Sequence, residues 1–225
     1  MTFSIVGRCH MTGQLGIAIS SSSIAVGARC PWARSRVGAV STQNITLPSL
    51  GLLALDLLEQ QQLDPATALE RVCASDIFHE YRQVTVIDNR GRTALFTGRE
   101  ALGQHHAVAG DQCVAAGNLL ASPQVIQDMV ATFEASPGPL ADRLLAAMMA
   151  AMRAGGEAGP VHSAALKIAG DVQWPIVDLR VDWTEHDPVL ELAELWEAYR
   201  PQMQDYLTRA LDPTAAPSYG VPGDE

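Results

Sequence analysis

Strand-like segments of this chain come in adjacent pairs separated by turn signals. Residues 2–8 and 14–20 are β-prone and flank a short turn, which predicts an antiparallel hairpin at the start of the chain. Two further hairpins are predicted at 82–98 and 163–182, each around a glycine-containing turn. Because tight hairpins join antiparallel strands, this pattern argues against a parallel sheet built from strand-helix-strand units.

Helical segments are predicted in pairs between the hairpins. Asp64, Ser122 and Asp187 each precede a proline, an arrangement typical of a helix start, since the polar side chain caps the helix and proline fits its first position. After Asp187 an apolar stripe continues at helical spacing as far as Leu207, which predicts one long last helix. The pattern predicts an α+β fold, a four-layer αββα sandwich with two antiparallel sheets between helical layers.

The chain is long enough for one sizeable core, since 48% of its 225 residues are apolar. We therefore predict a single domain over residues 1–212 and a Pro/Gly-rich tail over residues 213–225. The formal net charge of −10 gives no electrostatic reason to bind nucleic acid or an anionic membrane. We expect a cytoplasmic protein, because the sequence shows no signal-peptide pattern and no apolar stretch of membrane-spanning length.

Neither the cysteines nor the histidines have the spacing of a metal site. The four cysteines contain no C-x-x-C pair, and we expect them to be reduced and mostly buried. His105 and His106 are adjacent on a predicted strand and would point to opposite faces. No metal and no cofactor are therefore predicted.

Thr2 is a candidate nucleophile because of its position. Removal of Met1 is expected before a residue as small as threonine, and would leave a free α-amine beside a hydroxyl. Since an α-amine has a pKa of about 7.7–8, part of it is neutral at pH 7 and can accept the hydroxyl proton. Position alone is a weak signal, and an ordinary strand residue is the alternative.

Several stretches together carry a resemblance to a known family. TFSIVGR, TGQLGIAIS and AVGARCPWARSRVGAVSTQN at the start, AAGNLL at 115–120, VDLRVD at 177–182 and the terminal YGVPGD resemble the family called domain of unknown function 1028. This resemblance, which runs nearly end to end, implies the αββα fold of the N-terminal-nucleophile (Ntn) hydrolases. It also implies that Thr2 is the nucleophile.

The resemblance further implies roles for other residues. Arg36, with Arg34 beside it, is nearest to the basic residue of the superfamily, and Asn118 is the candidate oxyanion donor. A surface ion pair for Arg36 and a turn or cap for Asn118 are the alternatives. The predicted substrate-binding residues lie at the ends of the early strands and before a late one: Ser4, Ser20, Ser21, Thr42, Gln43, Asn44 and Ser163.

We therefore predict an amidohydrolase that cleaves a C–N bond in a small acyl amide. The alternative is a non-catalytic ligand-binding protein on the same fold. A third hypothesis is a cysteine hydrolase built on Cys9 or Cys30. The sequence shows no His–Asn arrangement near either cysteine. We expect a small-molecule amide as the partner, and a homodimer, since apolar helices in such sandwiches often pair.

Overall fold

The computed structural model describes residues 2–223, so Met1, on whose removal the predicted chemistry depends, lies outside the described residues. Ten strands and six α-helices occur within that range. The strands are β1 (Thr2–Arg8), β2 (Leu15–Ser21), β3 (Pro31–Arg34), β4 (Gly38–Asn44), β5 (Arg82–Asp88), β6 (Thr93–Thr97), β7 (His106–Gly110), β8 (Cys113–Asn118), β9 (Ser163–Ala169) and β10 (Pro175–Val181). The helices are α1 (Ser49–Gln60), α2 (Pro65–Ser75), α3 (Gln124–Ala135), α4 (Leu140–Arg153), α5 (Pro188–Tyr199) and α6 (Met203–Leu211).

The strands form two antiparallel sheets, which confirms the predicted fold class. One sheet has six strands in the order β10-β9-β2-β1-β8-β7, and the other has four in the order β3-β4-β5-β6. The three predicted hairpins are present as β1–β2, β5–β6 and β9–β10. β1 is therefore an interior strand, paired with β2 on one side and β8 on the other.

Helices cover the outer face of each sheet, so the molecule has four layers. Phe3 and Ile5 of β1 pack with residues of α3 and α4 in the largest apolar core. Val40, Val84 and Val86 of the smaller sheet pack against α1 and α2 in a second core. The inner faces of the two sheets meet each other.

The inner face of β1 divides into two ends. Because side chains alternate along a strand, Thr2, Ser4 and Val6 all point toward the smaller sheet. Val6 belongs to the apolar end, a buried cluster of Val6, Leu15, Ile17, Ala39, Ile87 and Val114. We call the other part the polar end: Thr2, Ser4, Ser21, Ser41, Gln43, Gln83 and Asn118, all of them buried.

Two sequence-based predictions about the elements were wrong. The single long last helix is interrupted between α5 and α6 by a 3-10 turn at Arg200–Gln202. This turn contains Pro201, which has no N–H to donate within a helix. The short strand β3 was missed, because its Pro-Trp start gives no alternating pattern. Within the described residues, no helix is long and apolar enough to cross a bilayer.

Candidate active site

Thr2 begins the interior strand β1 at the polar end. It lies opposite Asn118 of β8, and the neighbouring pair Phe3–Ser20 puts Ser21 of β2 on its other side. The side chain is only 4% exposed, and the Thr2 Oγ1 and Ser21 Oγ atoms lie 3.2 Å apart, within hydrogen-bond distance. The predicted nucleophile is thus held between two polar side chains on adjacent strands.

A chain of hydroxyl groups leads from Thr2 to an arginine. Ser21 Oγ lies 2.8 Å from Ser23 Oγ, and Arg29 Nη2 donates to Ser23 Oγ at 3.0 Å and to the Ile24 carbonyl at 2.9 Å. Arg29 Nε is buried and has no hydrogen-bond partner within residues 2–223. A fixed positive charge is therefore connected to the Thr2 hydroxyl through two serines.

Sequence reasoning missed Arg29. The segment between β2 and β3 is folded back by Ala25, which has a φ of 54°, and by a 3-10 turn at Val26–Ala28. Ser163 of β9 holds this segment, since its Oγ donates to the Ser23 carbonyl at 2.6 Å and accepts from Val26 N–H at 3.2 Å. Ser20 Oγ in turn donates to the Ser163 carbonyl at 3.0 Å. Ser20 and Ser163 are thus placed to support the site rather than to line it.

Side-chain amides connect the two sheets beside Thr2. Ser4 Oγ donates to Gln43 Oε1 at 2.6 Å and to Ser41 Oγ at 3.0 Å. Gln43 Nε2 donates to Gln83 Oε1 at 2.8 Å, and Asn118 Nδ2 donates to the same oxygen at 3.2 Å. The network thus brings three of the predicted site residues together, along with Gln83, which the sequence did not single out.

The network determines how the Asn118 amide is oriented. Since Gln83 Oε1 can only accept, the Asn118 nitrogen must face it. The Asn118 Oδ1 atom is then buried without a hydrogen-bond partner among the described residues. The predicted oxyanion role would use the second N–H bond of this amide and stays a prediction. The unpartnered oxygen, in contrast, suits a ligand or protein group that can donate a hydrogen bond.

Thr42 and Asn44 lie near the site but point elsewhere. Thr42 is on the helix-facing side of β4, and its Oγ1 lies 3.1 Å from Thr46 Oγ1. Asn44 fastens the end of β4 to the following loops, since its Nδ2 donates to the Tyr81 carbonyl at 2.6 Å and its Oδ1 accepts from Leu102 N–H at 3.2 Å. Neither side chain takes part in the network around Thr2.

The structure does not bring Arg36 to Thr2. Arg36 lies in the turn between β3 and β4, where its side chain is 76% exposed and pairs with Asp171 at 3.4 Å. Gln43 and Gly38 are separated by about 17 Å along β4, at about 3.3 Å per residue, and Arg36 lies beyond Gly38. The arginine that the structure connects to Thr2 is Arg29, whereas Arg36 forms the surface ion pair that was its alternative.

Comparison with known proteins gives the family. Residues 2–192 match the Family of unknown function (DUF1028). The chain belongs to this family. The crystal structure of a DUF1028 protein from Silicibacter pomeroyi is 30% identical over 88% of each chain, with a TM-score of 0.82.

Two other structures show a weaker similarity to this DUF1028 chain. Anbu (ancestral beta-subunit) from Yersinia bercovieri is similar over 90% of this chain and 96% of its own, at 12% identity and a TM-score of 0.44. Anbu from Hyphomicrobium sp. strain MC1 covers 89% of this chain and 95% of its own, at 9% identity and a TM-score of 0.42. No curated protein matched the chain.

Glu157 of this DUF1028 chain lies next to the polar end, and sequence reasoning did not single it out. It follows Gly155 and Gly156, whose φ values of 108° and 57° turn the chain after α4. The residue is 5% exposed, and its Oε1 accepts from Ser22 N–H at 3.3 Å. Burial raises the Glu157 pKa to about 7, although the positive charge of the N-terminus and the hydrogen bond with Ser22 act in the opposite direction.

The cysteines of this DUF1028 chain are unpaired, and three of the four are buried. Burial raises the pKa of the Cys30 thiol to about 11, so this thiol is protonated at neutral pH and poorly suited to nucleophilic attack. Among residues 2–223, no group of three or more His, Cys, Asp or Glu side chains is arranged to hold a metal ion.

Proposed function

We propose that this chain is an Ntn amidohydrolase that cleaves small acyl amides with Thr2 as its nucleophile. The observation that carries the proposal is the position of Thr2. It is the first residue of an interior strand, its hydroxyl contacts Ser21, and that contact continues through Ser23 to the charge of Arg29. The four-layer fold and the family membership are consistent with this chemistry.

The proposed reaction begins when Met1 is removed and Thr2 has a free α-amine. The Thr2 Oγ1 atom forms a bond to the substrate carbonyl carbon while its proton moves to that amine. The C–N bond then breaks, and the α-amine passes the proton to the leaving nitrogen. Water hydrolyses the acyl ester on Thr2, which releases a carboxylic acid and restores the hydroxyl.

Arg29 contributes electrostatically in this scheme. A guanidinium stays protonated at all ordinary pH values, so Arg29 cannot relay the proton. Its charge favours partial negative charge on Ser23, Ser21 and then Thr2 as the proton leaves. Asn118, opposite Thr2 in the register, is proposed to contact the substrate through its amide.

The test is a screen of small amides, lactams and N-acyl amino acids with Met1-free protein, verified by intact mass. Thr2→Ala is expected to lower turnover by about 10³-fold or more, because it removes the attacking oxygen. Thr85→Ala is the matched control, since Thr85 is also a buried threonine on the inner face of a sheet. It should leave turnover nearly unchanged.

Equal turnover by Thr2→Ala and wild type would end the nucleophile assignment. If no compound is turned over, but one binds and protects the fold against heat equally in both proteins, the non-catalytic ligand-binding protein becomes the better description. A Met1 that the cell retains would also favour that alternative, because Thr2 would then have no free α-amine.

A further inference from the structure

We propose that the Glu157 carboxylate binds the α-amino group of Thr2 as an ammonium and sets its position beside the hydroxyl. The inference rests on the removal of Met1 that the proposed function requires, and it adds a residue to that site. Glu157 would act as a positioning residue, because it would touch the amine and not the substrate.

Glu157 has contacts on both sides of β1, at the end where Thr2 lies. β1 begins at Thr2, whereas the segments that follow β2 and β8 extend past this point. On the β8 side, Glu157 forms a β-bridge with Leu120. On the β2 side, its carboxylate accepts from Ser22 N–H at 3.3 Å. Since the two neighbours of β1 are roughly 10 Å apart, we infer from these two contacts that the Glu157 side chain crosses the line of β1 close to the Thr2 nitrogen.

Two buried acceptor oxygens near Thr2 lack hydrogen-bond donors. Glu157 Oε2 is buried and has no hydrogen-bond partner in the part of the chain that the structure describes, and the same is true of Asn118 Oδ1 across from Thr2. Buried polar atoms are nearly always paired in folded proteins, and an unpaired buried carboxylate is especially costly. An ammonium group, with three N–H donors and a positive charge, would meet this requirement.

The two glycines before Glu157 help to fix the position of its backbone. Gly155 and Gly156 both have positive φ values, a conformation that residues with a Cβ rarely adopt. Backbone bonds hold the turn on both sides, from Ala121 N–H to the Gly156 carbonyl at 3.0 Å and from Ala158 N–H to the Leu119 carbonyl at 2.9 Å. The carboxylate is thus fixed by the backbone beside β8.

The expected consequence concerns the pKa of the Thr2 amine. An opposite charge nearby favours the charged form of a group, so Glu157 should raise the pKa of the amine above its ordinary value of about 7.7–8. The neutral amine that accepts the Thr2 proton is then a smaller fraction at pH 7, and this fraction increases as the pH rises toward the amine pKa. The ammonium in turn favours the charged form of Glu157, and so opposes the increase in the Glu157 pKa that burial causes.

Other titratable or charged groups near this position act differently. Arg29 is a fixed cation that reaches Ser23 and would lower the pKa of the amine. Cys30 stays neutral, since burial raises its thiol pKa to about 11. His162 is turned away, with its ring stacked on Trp183 at 4.3 Å. Glu157 is therefore the group whose removal should lower the amine pKa.

The experiment is an NMR titration of the Thr2 α-amine in protein without Met1. The protein is labelled with ¹³C-threonine, and the Thr2 signal is assigned by its loss in Thr2→Ser. In wild type we expect a pKa above about 8, and in Glu157→Gln a value lower by about one pH unit or more. Asp88→Asn is the control, since it also removes a buried carboxylate, at the far end of β5.

Each outcome decides the inference. A lower amine pKa in Glu157→Gln with an unchanged value in Asp88→Asn supports it, and an unchanged or higher value in Glu157→Gln overturns it. If Glu157→Gln does not fold, the wild-type value decides: an amine pKa above about 8 supports the inference and one at or below about 7.7 overturns it. A carboxylate bound to the ammonium should outweigh the charge of Arg29, which contacts Ser23 and not the amine.

This titration does not need a substrate, so its failure can be told from that of the proposed function. A raised amine pKa together with normal turnover by Thr2→Ala would leave Glu157 bound to the amine in a protein that does not use Thr2 for catalysis. An ordinary amine pKa together with inactive Thr2→Ala would keep the nucleophile and remove Glu157 from its role.

Discussion

The apolar end and the polar end of the space between the sheets are built from the same strands in different ways. At the apolar end, Val6, Ile17 and Ile87 fill the space with branched side chains that make no hydrogen bonds. At the polar end, Ser4, Gln43 and Gln83 fill it with groups that must each point at a partner. Two residues along β1 separate these two kinds of packing.

The polar end is the less favourable of the two for stability. Buried apolar contacts stabilise without directional demands, whereas a buried polar network is favourable only when every member is paired. Here Asn118 Oδ1 and Glu157 Oε2 are buried and have no hydrogen-bond partner among residues 2–223. Incomplete pairing around Thr2 is typical of a site shaped for a ligand and not for maximal stability.

The largest change is expected from breaking the apolar end. Ile17→Ala should lower the free energy of unfolding by about 2–5 kcal/mol, because it removes fully buried methylene and methyl groups and leaves a cavity. Denaturant unfolding measures the loss. Thr2 chemistry in the folded fraction should be unaffected, and a loss below about 1 kcal/mol would show that this cluster does not hold the sheets together.

A somewhat smaller loss is expected from breaking the centre of the polar end. Gln83→Leu removes an amide that bonds to Gln43, Asn118 and Thr97 and leaves buried polar groups without partners. We expect a loss of about 2–3 kcal/mol in the free energy of unfolding.

The exposed Gln61→Leu is the control for that substitution and should stay within about 0.5 kcal/mol of wild type. If Gln83→Leu is instead as stable as wild type, the amide network does not contribute to joining the sheets. The contrast between the two ends would then lie in packing alone.

A partial change at the polar end should have a lesser effect. Ser4→Ala removes one of the two hydroxyls that donate to Gln43 Oε1, and Ser41 Oγ still donates to it at 3.3 Å. The free energy of unfolding should therefore fall by about 1 kcal/mol, as measured by denaturant titration. An increase in the free energy of unfolding would mean that the buried hydroxyl of Ser4 destabilises the protein.

The smallest effect on stability, but a clear effect on chemistry, is expected from the arginines. Arg29→Gln and Arg36→Gln should both lie within about 1 kcal/mol of wild type in free energy of unfolding. The rate at which a β-lactone acylates Thr2, followed by intact mass, should fall about tenfold for Arg29→Gln and stay unchanged for Arg36→Gln. The reverse result would restore Arg36 to the site and remove Arg29.

Local signals in the sequence were enough for the hairpins and most helices. The turn residues after β5 and β9 and the caps at Asp64 and Asp187 act within a few positions of the chain, and the structure shows both aspartates accepting from N–H groups of the first helical turn. The four layers followed from these elements, since hairpins and apolar faces leave few arrangements. The order of the strands in each sheet was not predicted, because it depends on pairings such as β1 with β8 between distant segments. The break at Pro201 was in principle visible in the same way, but the apolar stripe concealed it.

What the sequence by itself determined is the fold class, the family and the position of Thr2 at the head of a strand. Only the tertiary structure decided which charges surround Thr2: it brought in Arg29 through a folded loop, put Arg36 at the opposite end, and placed Glu157 beside Ser22, 135 positions away in the chain. The physical reason is that turn and cap signals act over a few residues, whereas the environment of a buried group is set by segments that meet only when the sheets pair.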